Sequence, residues 1–206
     1  MSFEVAGPMD FAGRRFEVEG DYSSAGYFLA AAAITGGRVR VRNLRRDSAQ
    51  ADRAILDVLE EMGCRVAHQE NTCTLAGAPL SPLRRDLSSM PDAVPALAVC
   101  ALFAEGTSRL GGLATLRLKE SDRVSALAAE LRKLGAAIKE GEDFLEISPR
   151  PLHGTLLETH KDHRMAMSLA LAGLRVPGVV IQNPQCVTKS YPGFWEEFRR
   201  LERPPA

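Results

Sequence analysis

Apolar residues gather in three long, alanine- and leucine-rich runs, and a polar turn carrying an aspartate opens each one. The first is GDYSSAGYFLAAAAITGG (Gly20 to Gly37), the second MPDAVPALAVCALFAEG (Met90 to Gly106), the third KDHRMAMSLALAGL (Lys161 to Leu174). Their apolar positions cover nearly every face of a helix, which predicts three helices buried all round. A short β-like run follows each: RVRVRNL, SRLGGL and VVIQNP. Next comes a second helical pattern, in DRAILDVLEEMG, SDRVSALAAELRKLG and YPGFWEEFRRL. Glu, Arg and Lys along one face of these segments place them on the outside. Gly63 and Gly135 stand where a left-handed helix cap is wanted. The first two copies close in hairpin-like strands, CRVAHQENTCTLAG and AAIKEGEDFLEISP, turning at Glu70-Asn71 and Glu140-Gly141.

The unit therefore reads β-α-β-α-β-β, twice complete and a third time cut short after its second helix. It recurs roughly every 70 residues, beyond the usual solenoid period, so a closed three-fold arrangement is expected rather than a rod. This is an α/β fold of three βαβαββ repeats, at about 16–78, 86–149 and 155–202, within one domain spanning 1–206. The missing hairpin of the third repeat leaves strand edges open, which suggests a part of something larger.

Composition narrows the function. The chain of 206 residues is 45% hydrophobic and 25% charged, with 26 basic and 26 acidic residues. That balance argues against bulk binding of nucleic acid, so anion recognition must come from local clusters. Cys64, Cys73, Cys100 and Cys186 match no zinc spacing and read as thiols of a reducing compartment. The N-terminal sequence has no signal-peptide pattern and no apolar span is long enough for a membrane, so the expected location is cytoplasmic.

Pseudo-equivalent points of a repeat fold face the same way, and here they hold the charged residues. The starts of the buried helices carry Asp92 and Asp162-His163-Arg164. The start of the second outer helix carries Lys119-Glu120-Ser121-Asp122-Arg123, and Lys189 follows the third β run. Helix N-termini favour phosphate and carboxylate. Arg123 and Arg164 add planar forks, and Lys189 a point charge. Asp92, Glu120 and His163 are the titratable groups of the set, suited to moving protons between anionic reactants. Each residue also has a plainer reading: Asp92 as a helix cap after Pro91, LKESDR as a solvated charge run, His163 as a structural histidine, Lys189 as an ordinary surface lysine. Met165 and Met167 read as core, and His68, His153 and His160 as structural or exposed.

Taken in order, EGDYSSAGYFLAAAAI, MPDAVPALAV, LRLKESDR, EGEDFLEI, DHRMAMSLALAGL and CVTKSYPGFWEEF resemble the C-terminal half of the 5-enolpyruvylshikimate-3-phosphate synthase family, from about Phe16 to Leu201. KESDR and DHRMAM at this separation are specific to it. The sister family acting on UDP-N-acetylglucosamine shares the fold but not these motifs in this form. The resemblance implies an inside-out α/β barrel and no metal or organic cofactor. It implies transfer of enolpyruvyl from phosphoenolpyruvate to the 5-hydroxyl of shikimate 3-phosphate, in the route to aromatic amino acids, with glyphosate competing with phosphoenolpyruvate. By motif, Asp92 would serve as base near the attacking hydroxyl and Glu120 as acid/base for the methylene carbon. Lys119 would touch shikimate 3-phosphate. Arg123, Arg164 and Lys189 would hold phosphoenolpyruvate by its phosphate and carboxylate, and His163 would sit beside Glu120 and tune it, His163 and Lys189 counting with Asp92 and Glu120 as catalytic. Thr115 stands near where many relatives have an asparagine and would take over part of its hydrogen bonding. The family is about twice as long. A separate N-terminal half would supply the remaining contacts and the strands that complete the third repeat, and without it the chain is expected to be inactive. Other readings are a non-catalytic anion- or partner-binding domain of the same fold, and the UDP-sugar branch.

Overall fold

The computed structural model describes residues 2–4, 6–8, 13, 15 and 17–201. Phe16 and Glu202, the outer limits of the first and last expected repeats, lie outside them. The first repeat contains α1 (Tyr22–Thr35), β1 (Arg38–Arg42), α2 (Ile55–Glu61), β2 (Arg65–Gln69) and β3 (Thr72–Ala76). The second contains β4 (Arg84–Asp86), α3 (Val94–Ala101), β5 (Ser108–Gly111), α4 (Arg123–Lys133), β6 (Ala137–Glu140) and β7 (Leu145–Ser148). The third contains β8 (Leu156–Leu157), α5 (His163–Ala172), β9 (Val180–Ile181) and α6 (Phe194–Arg200).

The alanine-rich helices α1, α3 and α5 pack on one another at the centre. Every residue of α3 is buried, as are ten of α1 and nine of α5, as an all-round apolar pattern requires. Small alanine side chains let the three backbones approach, while Leu29, Leu97 and Leu169 fill the space between. The sheets lie around this core, one per repeat, in the orders β1-β3-β2, β4-β5-β7-β6 and β8-β9. In the first, β3 runs antiparallel to both neighbours, and the register sets Val39 opposite Leu75. β4 pairs parallel with β5, as β8 does with β9.

Three features depart from the sequence pattern. Residues 17–20 form no strand, so the first repeat begins at its helix among the described residues. Gly20 instead donates its N–H to the Asn43 carbonyl at 2.6 Å, so close that a Cβ there would stand 2.7 Å from that oxygen. The outer helix α4 is less exposed than its charges suggest, because it buries both Arg123 and Glu130. The two-stranded sheet of the third repeat leaves Leu156 and Val180 exposed. Gly63 and Gly135 do have positive φ, 107° and 102°, as helix-ending glycines should. Among the described residues, no helix is long and apolar enough to cross a membrane.

The C-terminal helix is fixed by aromatic packing. Phe194 meets Tyr27 of α1 edge-on with ring centroids 5.8 Å apart and stacks on Phe198 at 5.3 Å. The 3-10 turn Pro184–Lys189, just ahead of that helix, rests on α5. This contact brings Lys189 to the start of α5.

Candidate functional site

The chain positions its charges through helix starts. Asp162 caps α5, accepting the Arg164 N–H at 2.9 Å, and Asp122 caps α4 through the Ser125 N–H at 3.0 Å. Asp92 precedes α3 but caps nothing: α3 has no side-chain cap, and Pro95 in its first turn removes one of the donors that would need one. The Asp92 carboxylate turns to the cations instead.

Arg123, first residue of α4, is the hub, and only 1% of it is exposed. Its Nε and Nη2 donate to the two oxygens of Asp162 at 2.7 and 3.2 Å, a bidentate fork. Its Nη1 donates to Asp92 at 2.9 Å, and Nη2 also to Glu120 at 2.8 Å. Asp162 is fully buried, and it accepts a further hydrogen bond from Ser121 at 3.2 Å. Around this hub sit the other cations. Arg164 reaches Asp92 at 3.1 Å and Lys119 reaches it at 3.9 Å, while Lys189 bonds Glu120 at 2.7 Å. Four cations thus face three carboxylates, leaving one positive charge over. The outermost, Lys189, is 60% exposed, so it can turn to a ligand at little cost.

Environment tunes the titrating groups. The hydrogen bond from Lys189, a backbone hydrogen bond and the nearby Arg123 charge push the Glu120 carboxyl down to about 2, so it stands ionised. Burial works against the charge on Arg123, yet its hydrogen bonds and attraction to Asp162, then to Glu120 and Asp92, raise its pKa. Burial pushes the His163 imidazole below 6.5, with Arg164 adding to the effect and Asp162 opposing it. His163 Nδ1 lies 3.9 Å from Asp162 and has no hydrogen-bond partner among the described residues.

The starts of all three inner helices share this end of the fold. Near the start of α1, Ser23 donates to the buried carboxylate of Asp52, whose pKa burial raises against the pull of Ser23 and Arg164. Tyr27, buried beside Arg164, has its phenol pushed up to about 12 by burial. Directly before Asp162 the chain turns through His160 and Lys161, both left-handed at φ 52° and 57°. Such a conformation costs ~1–2 kcal/mol at each non-glycine residue, so the surroundings must hold it.

Asp92, Lys119, Glu120, Arg123, Arg164 and Lys189 thus form one connected network, with His163 at its edge. No hydrogen bond joins His163 to Glu120 among the described residues; the Glu120 charge acts on the imidazole only by opposing the effect of burial on its pKa. Thr115, exposed in the 3-10 turn Ala114–Leu118, makes no hydrogen bond to the network. Sequence reasoning grouped Asp162 with the polar helix starts but missed that it anchors Arg123. The signal was present in its place beside His163 and Arg164. Asp52 and Tyr27 were not picked out as site residues: Asp52-Arg53 recurs 70 positions on as Asp122-Arg123, a signal of its place, whereas nothing in the sequence marks Tyr27 apart from core residues.

Comparison with known proteins gives this geometry a context. A family profile described as EPSP synthase (3-phosphoshikimate 1-carboxyvinyltransferase) matches residues 1–198. A 3-phosphoshikimate 1-carboxyvinyltransferase of Methanoculleus marisnigri is 47% identical over 195 residues, covering 94% of this chain and 46% of the relative. One from Thiobacillus denitrificans is 46% identical, covering 92% and 46%. The chain therefore spans about half the length of the curated relatives it matches. Among solved structures, EPSP synthase from Acinetobacter baumannii superposes with a TM-score of 0.80 at 30% identity, over 89% of this chain and 46% of that one. The enolpyruvyl transferase NikO from Streptomyces tendae superposes with a TM-score of 0.73 at 24% identity, a likeness of fold.

Proposed function

The chain belongs to the EPSP synthase family, and on that basis we propose that it forms the phosphoenolpyruvate-holding half of a 3-phosphoshikimate 1-carboxyvinyltransferase site, with an N-terminal half supplying the rest. The observation that supports this most is the Arg123 hub. It is a buried guanidinium already surrounded by carboxylates, with partly buried Arg164 and the exposed Lys119 and Lys189 at its outer side. An arriving phosphate or carboxylate would exchange with Asp92 and Glu120 as partner of these cations, while the Asp162 fork keeps Arg123 in place.

The chemistry then follows from the groups present. A proton added to the methylene carbon of phosphoenolpyruvate leaves positive charge on the neighbouring carbon. The 5-hydroxyl oxygen of shikimate 3-phosphate bonds to that carbon while its proton passes to Asp92. The C–O bond to phosphate then breaks, phosphate keeping the electron pair, and the new methyl group loses a proton to restore the double bond. Glu120 carries the methylene and methyl proton. While Lys189 bonds it, Glu120 is too acidic to hold a proton, so transfer of Lys189 to the substrate anion is what raises its basicity. Arg123 and Arg164 stabilise the departing phosphate, a preorganised arrangement worth several kcal/mol. Lys119 faces shikimate 3-phosphate. Thr115, exposed and unbonded, is available to the same ligand. His163, neutral and edge-placed, adds no charge of its own.

Half the substrate shell is absent from this chain, so positioning is incomplete and turnover by the chain alone is expected to be negligible. Mixing it with the N-terminal half of a relative tests this. Phosphate release that needs both halves, and that Asp92→Asn or Glu120→Gln abolishes, supports the reading. Phosphate release by this chain alone contradicts the dependence on a second half. Release with the UDP-sugar in place of shikimate 3-phosphate contradicts the substrate. Phosphoenolpyruvate binding without turnover under any pairing favours a non-catalytic anion-binding domain.

A further inference from the structure

We infer that Glu130, which no step above uses, is a positioning residue that sets the anion site by holding the turn in front of it; this rests on the reading of that site as an anion site. Glu130 lies on α4 two helical turns beyond Arg123, so both side chains leave the same face, and each residue is 1% exposed. One Glu130 oxygen accepts the backbone N–H of Glu158 at 2.9 Å, and the other faces His160 Nε2 at 3.1 Å. Farther up the same helix, Arg123 holds Asp162 by its fork. A single helix therefore fixes the connection into α5 on both sides of the left-handed pair His160 and Lys161.

The Asp162 N–H closes the turn on the Thr159 carbonyl at 2.9 Å, but neither residue of the pair is glycine, so that bond has to be supported by ties on both flanks. If the Glu130 tie is lost, the pair relaxes to ordinary dihedrals and the start of α5 shifts. Asp162, His163 and Arg164 move with it, and Arg123 loses its fork. Glu130, Glu158 and His160 also lie close enough together to suggest a cation site, but the Lys133 ammonium already stands 2.8 Å from both Glu130 oxygens. That ammonium supplies the balancing charge, and the remaining hydrogen bonds of Glu130 are spent on the turn.

The test uses Glu130→Gln and Lys161→Gly, singly and together, with two readouts. One is phosphoenolpyruvate affinity by calorimetry. The other, which needs no ligand, is the Arg123 Nε–H resonance in the proton–nitrogen spectrum. Glu130→Gln is expected to move and broaden that resonance and to weaken binding on the order of tenfold, the scale of one lost charge-assisted hydrogen bond. Lys161→Gly alone should leave both readouts as they are. In the double variant it should restore both, because glycine takes positive φ without strain. A Glu130→Gln protein with the parent's resonance and affinity overturns the inference, and so does a defect that Lys161→Gly fails to repair. If the parent binds no phosphoenolpyruvate, the anion-site reading fails, and the resonance alone still decides whether Glu130 holds the turn.

Discussion

Replacing Asp162 by Asn removes one charge from the centre of the network and changes little else. Asn caps a helix about as well as Asp, so the bond from the Arg164 N–H survives. The loss falls on Arg123, which is buried and gives up its only bidentate partner. Breaking a buried ion pair from one side costs about 3–5 kcal/mol. Because Asp92 and Glu120 still bond the guanidinium at 2.9 and 2.8 Å, the lower end of that range applies, about 3 kcal/mol. Asp162→Ala also loses the cap, adding about 1 kcal/mol. Urea unfolding followed by circular dichroism measures both. With an m-value of about 2–3 kcal/mol per molar, the Asn variant should unfold at a midpoint lower by roughly 1 M or more. An Asn variant within about 0.5 kcal/mol of the parent would refute the claim that Asp162 anchors Arg123.

Other consequences are equally open to measurement. The Glu120 carboxyl is held at about 2 in the fold against 4.5 as its ordinary value, so its contribution to stability is complete above pH 4.5 and disappears as pH falls towards 2; Glu120→Gln should flatten acid unfolding in that window. Lys189→Met removes the hydrogen bond that chiefly lowers this pKa, so the Glu120 carboxylate carbon signal should titrate at higher pH than in the parent. His163 should titrate below 6.5 by proton NMR. Since the unfolded chain takes up that proton first, its contribution to stability is full above pH 6.5 and declines below it, and a titration above 6.5 would contradict the burial argument. Gly20→Ala forces a Cβ to within 2.7 Å of the Asn43 carbonyl and should cost about 1–3 kcal/mol in thermal unfolding.

The sequence carried the inner helices clearly, because an alanine-rich pattern without a polar face has nowhere to lie but inside. It also carried most of the charged network, because KESDR opens an outer helix and DHRMAM an inner one, and the fold brings the two helix starts together. What it hid was pairing. Asp92 taken alone read first as a cap, and only its bond from Arg123 shows it as a partner. Glu130 looks like half of an ordinary surface pair with Lys133 three residues on, and that pair does form. Its burial depends on a connection some 30 positions away in sequence folding over it. His160, read as merely structural or exposed, is one of the contacts that buries it. Local patterning cannot express such a contact. Nor could it show that residues 17–20 run irregularly, because the sequence there alternates much as a strand does.

On the reading proposed above, the network of Asp92, Glu120, Arg123, Arg164 and Lys189 is one mouth that takes an anion by partner exchange. Titrating phosphoenolpyruvate into the parent chain and into Arg164→Ala, followed by calorimetry, tests it most directly. Saturable one-site binding by the parent is expected, weakening as salt rises and dropping at least tenfold in the variant. Equal affinity in the two proteins, or binding that ignores salt, would contradict it.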